Sequence, residues 1–226
     1  MPNFNVGFVI FPALTQLDFT GPLQVLARLP GATMHIVAKS DAQVPSDCGL
    51  SLVPTCAFAN CPPLDLICVP GGVTGVIGAI GDRETVEFVR QQAAGARYVT
   101  SVCTGAFVLG AAGLLRGRRA TTHWAYTDLL PLYGATYERA RVVKDGNLIT
   151  AGGVTSGIDF GLSVVAEIAG EAVARTVQLG IEYDPAPPFD SGDPHRAPAE
   201  VLAALSGRYE KAKSALHSAI AHTAVA

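Results

Sequence analysis

The stretch RYVTSVCTGAFVLGAAGLL, residues 97–115, joins two different apolar patterns. Residues 97–102 form a short β-branched run of the kind that makes a buried strand. Residues 104–115 are small and apolar over a helical length. Cys103 falls at the joint, with Thr104, Gly105 and Ala106 directly behind it. A sharp strand-to-helix turn exposes the residue at its apex and aims the N-terminus of the helix at it. The thiolate is the reactive form of cysteine, and a helix N-terminus favours an anion. Cys103 is therefore read as a nucleophile, with Gly105 and Ala106 small enough for the turn to pack tightly. An inert buried cysteine is the bland alternative.

Working outward, apolar runs at 5–11, 33–40 and 64–70 read as strands, and 120–124 is strand-like. Residues 19–29, 82–96, 125–134, 154–170 and 171–183 read as helices. Thr20 is placed as the cap of the first of these and Asp82 as the cap of the second. Residues 44–55 and 141–151 read as hairpins, the latter around Asp145-Gly146. The glycine-rich stretch VTGVIGAIGD (73–82) reads as a loop without P-loop spacing. Alternating strands and helices imply an α/β fold: a three-layer sandwich with a mostly parallel sheet and helices on both faces. Ligands in such folds bind outside the carboxyl ends of the strands. Asp18, Gly71-Gly72, Cys103 and Gly152-Gly153 each follow a strand, so parallel strands would bring all four loops to one edge.

The chain has 226 residues, 49% hydrophobic and 15% charged, enough for a sizeable core in one domain. Net charge is −3 without a dense Lys/Arg block, so nucleic acid is not an expected partner. The five cysteines, Cys48, Cys56, Cys61, Cys68 and Cys103, include no C-x-x-C pair and fit no common zinc spacing. They read as reduced thiols of a cytoplasmic protein, with Cys68 in the core and no metal site. The N-terminus reads as a strand rather than a signal peptide, and no apolar run reaches membrane-span length. After Asp184 the composition shifts: PAPPFDSGDP (185–194) is irregular, and an amphipathic helix follows. The division expected is an α/β domain at 1–184 and a C-terminal extension at 185–226.

A reactive thiol needs a proton acceptor, and no His follows Cys103. Asp18, between Leu17 and Phe19 after an apolar strand, is the best local carboxyl, since an apolar setting raises its pKa. Its bland alternative is a helix cap. Ser156 and Asp159 have the S-x-x-D form of a capping box and read as structural. His123, beside the single tryptophan Trp124, reads as a packed, hydrogen-bonded residue behind the site rather than a partner of the thiol.

The segments LDFTGPLQV (17–25), VPGG (69–72), TSVCTGAFVLGAAGLL (100–115), ATTHW (120–124) and AGGVTSGIDFGL (151–162) together resemble the PfpI superfamily. That group includes the Parkinsonism-associated deglycase and the amidotransferase-like domains of AraC-type regulators. Asp18 with Cys103-Thr104 resembles the isocyanide-hydrating branch more than the protease branch, which typically has His after the Cys. Residues 177–194 resemble the same branch. The resemblance implies a flavodoxin-like sandwich, a homodimer and no cofactor. It also implies addition of water to an isocyanide, giving an N-substituted formamide. Cys103 would attack the isocyanide carbon, Asp18 would act as acid and base, and Thr104 would orient Asp18. Backbone amides near Gly71, Gly72, Gly152 and Gly153 would stabilise anionic states, and Val154 would line an apolar substrate pocket. A small-molecule sensor, a redox-responsive cysteine protein and a deglycase are the competing readings, since one fold carries many functions.

Overall fold

The computed structural model describes residues 3–223. The chain runs β1 (Phe4–Val9), α1 (Gln16–Leu26), β2 (Ala32–Ala38), β3 (Val44–Pro45), β4 (Ser51–Leu52), β5 (Cys56–Ala57) and β6 (Leu66–Val69). It continues through α2 (Val73–Gly81), α3 (Arg83–Gly95), β7 (Tyr98–Val102), α4 (Ala106–Ala111), β8 (Arg119–Ala120) and β9 (Thr136–Tyr137). It ends with β10 (Val142–Asp145), β11 (Leu148–Ala151), α5 (Ser156–Ala169), α6 (Glu171–Gly180) and α7 (Ala199–Thr223).

Seven strands form the central sheet in the order β10-β11-β7-β6-β1-β2-β5. All pairings are parallel except β10 with β11, the hairpin expected at Asp145-Gly146. The residues of β6 and β11 are buried throughout, as a strand covered on both faces requires. Helices α1, α5 and α6 pack together as one layer, and α2, α3, α4 and α7 as the other. The fold is thus the expected α/β sandwich, and the ends of β1, β6, β7 and β11 share one edge. Helix α7 joins the core through buried Leu216 and Ile220, and the Tyr133 hydroxyl lies 2.7 Å from Thr223 Oγ1.

Four local expectations need correction. Helix α1 begins at Gln16 rather than near residue 19, so Thr20 lies inside it and donates to the Gln16 carbonyl at 3.1 Å. Its start is set by distant groups: Thr15 donates its amide to the Gly71 carbonyl at 2.9 Å and its hydroxyl to Asp47 at 2.6 Å. The stretch read as a glycine loop at 73–82 is largely helix α2. Glycine is a poor helix former, but a Cβ at Gly75 would lie 2.5 Å from the Pro12 carbonyl, so close backbone packing demands it. Residues 121–124 leave the sheet after the two-residue β8 and enter a 3-10 helix over Trp124–Tyr133. Ser156 and Asp159 form no capping box: α5 is entered from Thr155, and Asp159 instead accepts from Arg141 Nε at 2.7 Å and Tyr183 at 3.1 Å.

Candidate active site

Strand β7 ends at Val102, and Cys103 adopts φ 57°, in the left-handed region that a side chain with a Cβ rarely enters. Such strain persists only where surrounding contacts fix it. Here the Cys103 amide donates to the Gly152 carbonyl at 2.8 Å, and the Thr122 hydroxyl donates to the Cys103 carbonyl at 2.8 Å. A short 3-10 turn over Cys103–Gly105 then leads into α4. Gly105 cannot be replaced in this turn, because a Cβ would lie 2.1 Å from the Val69 carbonyl. Cys103 is only 6% exposed. The joint between the two sequence patterns is thus a strained elbow clamped by the neighbouring loops.

Asp18 comes to the same place from the first turn of α1 and is fully buried. Its Oδ2 accepts from the Gly71 amide at 3.0 Å, while Oδ1 has no protein partner among the described residues. Burial pushes the carboxyl up to about 7, against the pull of Cys103 and the Gly71 amide. Burial, followed by the charge of Asp18, pushes the Cys103 thiol well above its ordinary value. The two groups lie side by side in a low-dielectric site, so a second negative charge there is disfavoured. The pair therefore holds one proton above neutral pH and passes to two as Asp18 takes up its own.

The glycine loops organise this pair rather than standing open to a ligand. The Gly71 amide is taken by Asp18. The Gly72 amide donates to Thr104 Oγ1 at 3.0 Å, and the Gly152 amide donates to the Arg141 carbonyl at 2.9 Å. Two expectations change accordingly. The Thr104 hydroxyl braces Gly72, and it is Gly71 that orients Asp18. Neither Gly72 nor Gly152 has an amide to spare for an anion; the Gly153 amide has no protein partner among the described residues.

A cleft of about 440 Å³ opens beside the elbow. Gly152, Gly153, Val154, His123 and Trp124 line one part of it, and Arg139, Arg141, Asp193, His195 and Arg196 another. Cys103 lies behind this wall with its amide bonded to the Gly152 carbonyl, and Asp18, Thr104, Gly71 and Gly72 do not line the cleft. The expected pocket was apolar; the observed one is edged by charge, because irregular residues 185–198 bring Asp193, His195 and Arg196 to its rim. His123 is packed, and it lines the cleft rather than lying behind it. Its Nδ1 accepts from the Ala125 amide at 3.3 Å, its ring meets Trp124, Tyr126 and Tyr209 at 5.5–5.6 Å between centroids, and burial lowers it to about 4.

Tyr126 is the residue that sequence reading missed. It is 2% exposed, its hydroxyl has no protein partner among the described residues, and burial, Tyr209 and Cys103 together push it up to about 12. Ser156, another buried hydroxyl without a partner, lies near Gly152. In the sequence Tyr126 reads only as one apolar position of a short helix. Among the described residues no three His, Cys, Asp or Glu side chains group as a metal site, and no helix is long and apolar enough to cross a membrane.

A parallel sheet with a cysteine on a strained elbow at its carboxyl edge, and a buried carboxyl against it, defines an α/β protein of the cysteine-nucleophile class. The chain belongs to the DJ-1/PfpI family, whose model matches residues 5–167. It is 58% identical over 198 residues to the isonitrile hydratase of Pseudomonas putida, covering 88% of this chain and 86% of that one. It superposes on a THiJ/PfpI family protein from Pseudomonas syringae with a TM-score of 0.95 at 43% identity, covering 97% of this chain and 91% of the other. It is also 27% identical over 190 residues to the HTH-type transcriptional regulator GbdR of Pseudomonas aeruginosa, covering 80% of this chain and 51% of the regulator.

Proposed function

We propose that the protein is an isocyanide hydratase that converts an isocyanide and water to an N-substituted formamide. The observation that carries this reading is the buried Asp18–Cys103 pair with Asp18 poised at about 7. A carboxyl near neutrality can accept and return a proton within one cycle. The similarity to the isonitrile hydratase supports the same chemistry.

The roles assigned here are part of the proposal. As the Cys103 sulfur bonds to the terminal carbon of the isocyanide, Asp18 takes the thiol proton and delivers it to that carbon. The product is a thioimidate, R–N=CH–S–Cys103, with Asp18 ionised again. Asp18 then removes a proton from water, the hydroxide adds to the carbon, and the nitrogen takes a proton from a donor that the new carbon hydroxyl recharges as it becomes the carbonyl. Collapse of the adduct breaks the C–S bond, releases the formamide, and returns the Asp18 proton to sulfur. Gly71 and Thr104 hold the geometry, and the cleft beside Gly153 and Val154 admits the substrate. Every step uses protein groups and water. The assay is formamide formation from an alkyl isocyanide, followed by infrared or NMR; absence of turnover by folded protein would reject the reading and favour a sensor.

The assembly proposed is a cytoplasmic homodimer built from a 1–184 α/β domain and a 185–226 extension, without nucleic-acid or membrane partners. A monomer in sedimentation analysis would remove the dimer from this account.

A further inference from the structure

We propose that Tyr126 is a further catalytic residue, which holds the substrate nitrogen and hands it a proton while the thioimidate is hydrolysed. The inference rests on the hydratase reading and extends it to the one atom that Asp18 and Cys103 leave unserved. Asp18 transfers protons at carbon and at water, and Cys103 is bonded to carbon. The nitrogen must gain a proton as water adds, while the proton that Asp18 takes from water is the one it later returns to sulfur.

The structure places an idle donor beside the elbow. Tyr126 is 2% exposed, and its hydroxyl makes no hydrogen bond among the described residues. Buried hydroxyls normally find a partner, and an orphan costs stability. Burial raises the phenol first, and the charges of Tyr209 and Cys103 raise it further. The 3-10 helix that carries it begins just after Thr122, whose hydroxyl holds the Cys103 carbonyl, and it packs on α4, the helix that leaves the elbow. Two rings pack against the side chain. His123 lies 5.6 Å and Tyr209 5.9 Å from the Tyr126 centroid, and Trp124 completes the cluster through His123 at 5.6 Å. Tyr209 comes from α7, so the C-terminal helix buttresses the phenol. His123, lowered to about 4, is neutral at working pH and does not compete as an acid.

The proton inventory closes. Water adds to R–N=CH–S–Cys103 with one proton passing to Asp18, and the nitrogen takes the Tyr126 proton. As the C–S bond breaks, the new hydroxyl on carbon returns its proton to the Tyr126 phenolate while it becomes the formamide carbonyl. Asp18 reprotonates the departing sulfur. Both acids end as they began, and no oxidant or reductant takes part.

Tyr126→Phe tests this with little disturbance, since the ring and its neighbours His123 and Tyr209 remain. Three quantities are measured on the same preparation: formamide turnover of an alkyl isocyanide, the intact mass during turnover, and the melting temperature. The expected result is turnover slowed by about 10²–10³-fold, a population carrying the mass of the isocyanide on Cys103, and a melting temperature equal to or above that of the parent. A structural role would instead lower the melting temperature and leave no adduct. Turnover at the parent rate, or slowed turnover without the adduct, overturns the assignment of Tyr126 while the hydratase reading stands. A parent protein that folds yet leaves isocyanide unchanged overturns both. Should the variant melt early, Tyr209→Phe separates the effects: it keeps the Tyr126 hydroxyl, so accumulation of the adduct there would contradict the proposal.

Discussion

The Gly71 amide donates to Asp18 Oδ2 at 3.0 Å, so the loop after β6 fixes the carboxyl that begins α1. The same glycine faces the nucleophile. A Cβ on Gly71 would lie 2.7 Å from Asp18 Oδ2 and from the Thr104 amide nitrogen, and 2.8 Å from Cys103 Cβ. Gly71→Ala must therefore push the pair apart. Displacing reacting groups by about 1 Å can cost about 10²-fold in rate, and overpacking costs about 1–3 kcal/mol. Both losses are expected together, read by steady-state kinetics and by denaturant unfolding. Full activity in this variant would mean that Asp18 and Cys103 need not stay where they are.

In the proposed reaction Asp18 begins as a proton acceptor. Activity, as kcat/KM, should rise with pH through about 7, where Asp18 ionises. Burial holds the Cys103 thiol well above its ordinary value, so the rate stays level beyond neutrality. A pH–rate profile that is flat from 5 to 9 would exclude Asp18 as the titrating group.

Asp18 also ties stability to pH. Its folded value, about 7, stands above the ordinary 3.8 of an unfolded chain. Its favourable contribution is fully present below 3.8 and is lost as pH rises through about 7. Asp18→Asn, which cannot ionise, should then be more stable than the parent at pH 8, by about 2–4 kcal/mol. The gain should vanish toward pH 4. Urea unfolding at the two pH values checks this; equal stability at both would show that the carboxylate is not desolvated.

Two neighbours are expected to behave differently. Thr104→Val strands the buried Gly72 amide, a loss of about 1–3 kcal/mol, with weaker activity because the loop beside Asp18 loosens. His123→Asn should leave the pH profile in place, since a ring lowered to about 4 is neutral throughout the working range. A neutral limb that shifts in His123→Asn would move the proton-transfer role toward the imidazole.

Much of this site is legible in the chain because strand ends announce themselves. An apolar run followed by Gly71-Gly72, by Cys103-Thr104-Gly105 or by Gly152-Gly153 marks the carboxyl edge of a parallel sheet, and Asp18 follows the first such run. What escapes the sequence is settled by distant partners. The start of α1 depends on Thr15 reaching Asp47, thirty-two residues away. Helix α2 forms in spite of its glycines, because Gly75 must pass the Pro12 carbonyl. The commitment of the Gly72 and Gly152 amides to Thr104 and Arg141, and the orphan hydroxyl of Tyr126, arise only when separate loops meet. The charged rim of the cleft has the same origin, since it comes from the irregular segment near Asp193.

Cys103 is proposed to form a covalent thioimidate whose formation and breakdown depend on Asp18. The most direct measurement is the hydration of a carbon-13-labelled alkyl isocyanide by the parent, Cys103→Ala and Asp18→Asn proteins, read by NMR for formamide and by intact mass for the adduct. The parent should release labelled formamide, Cys103→Ala should show neither formamide nor adduct, and Asp18→Asn should be slower by about 10²–10⁴-fold. Labelled formamide from folded Cys103→Ala, at a rate near that of the parent, would contradict the account.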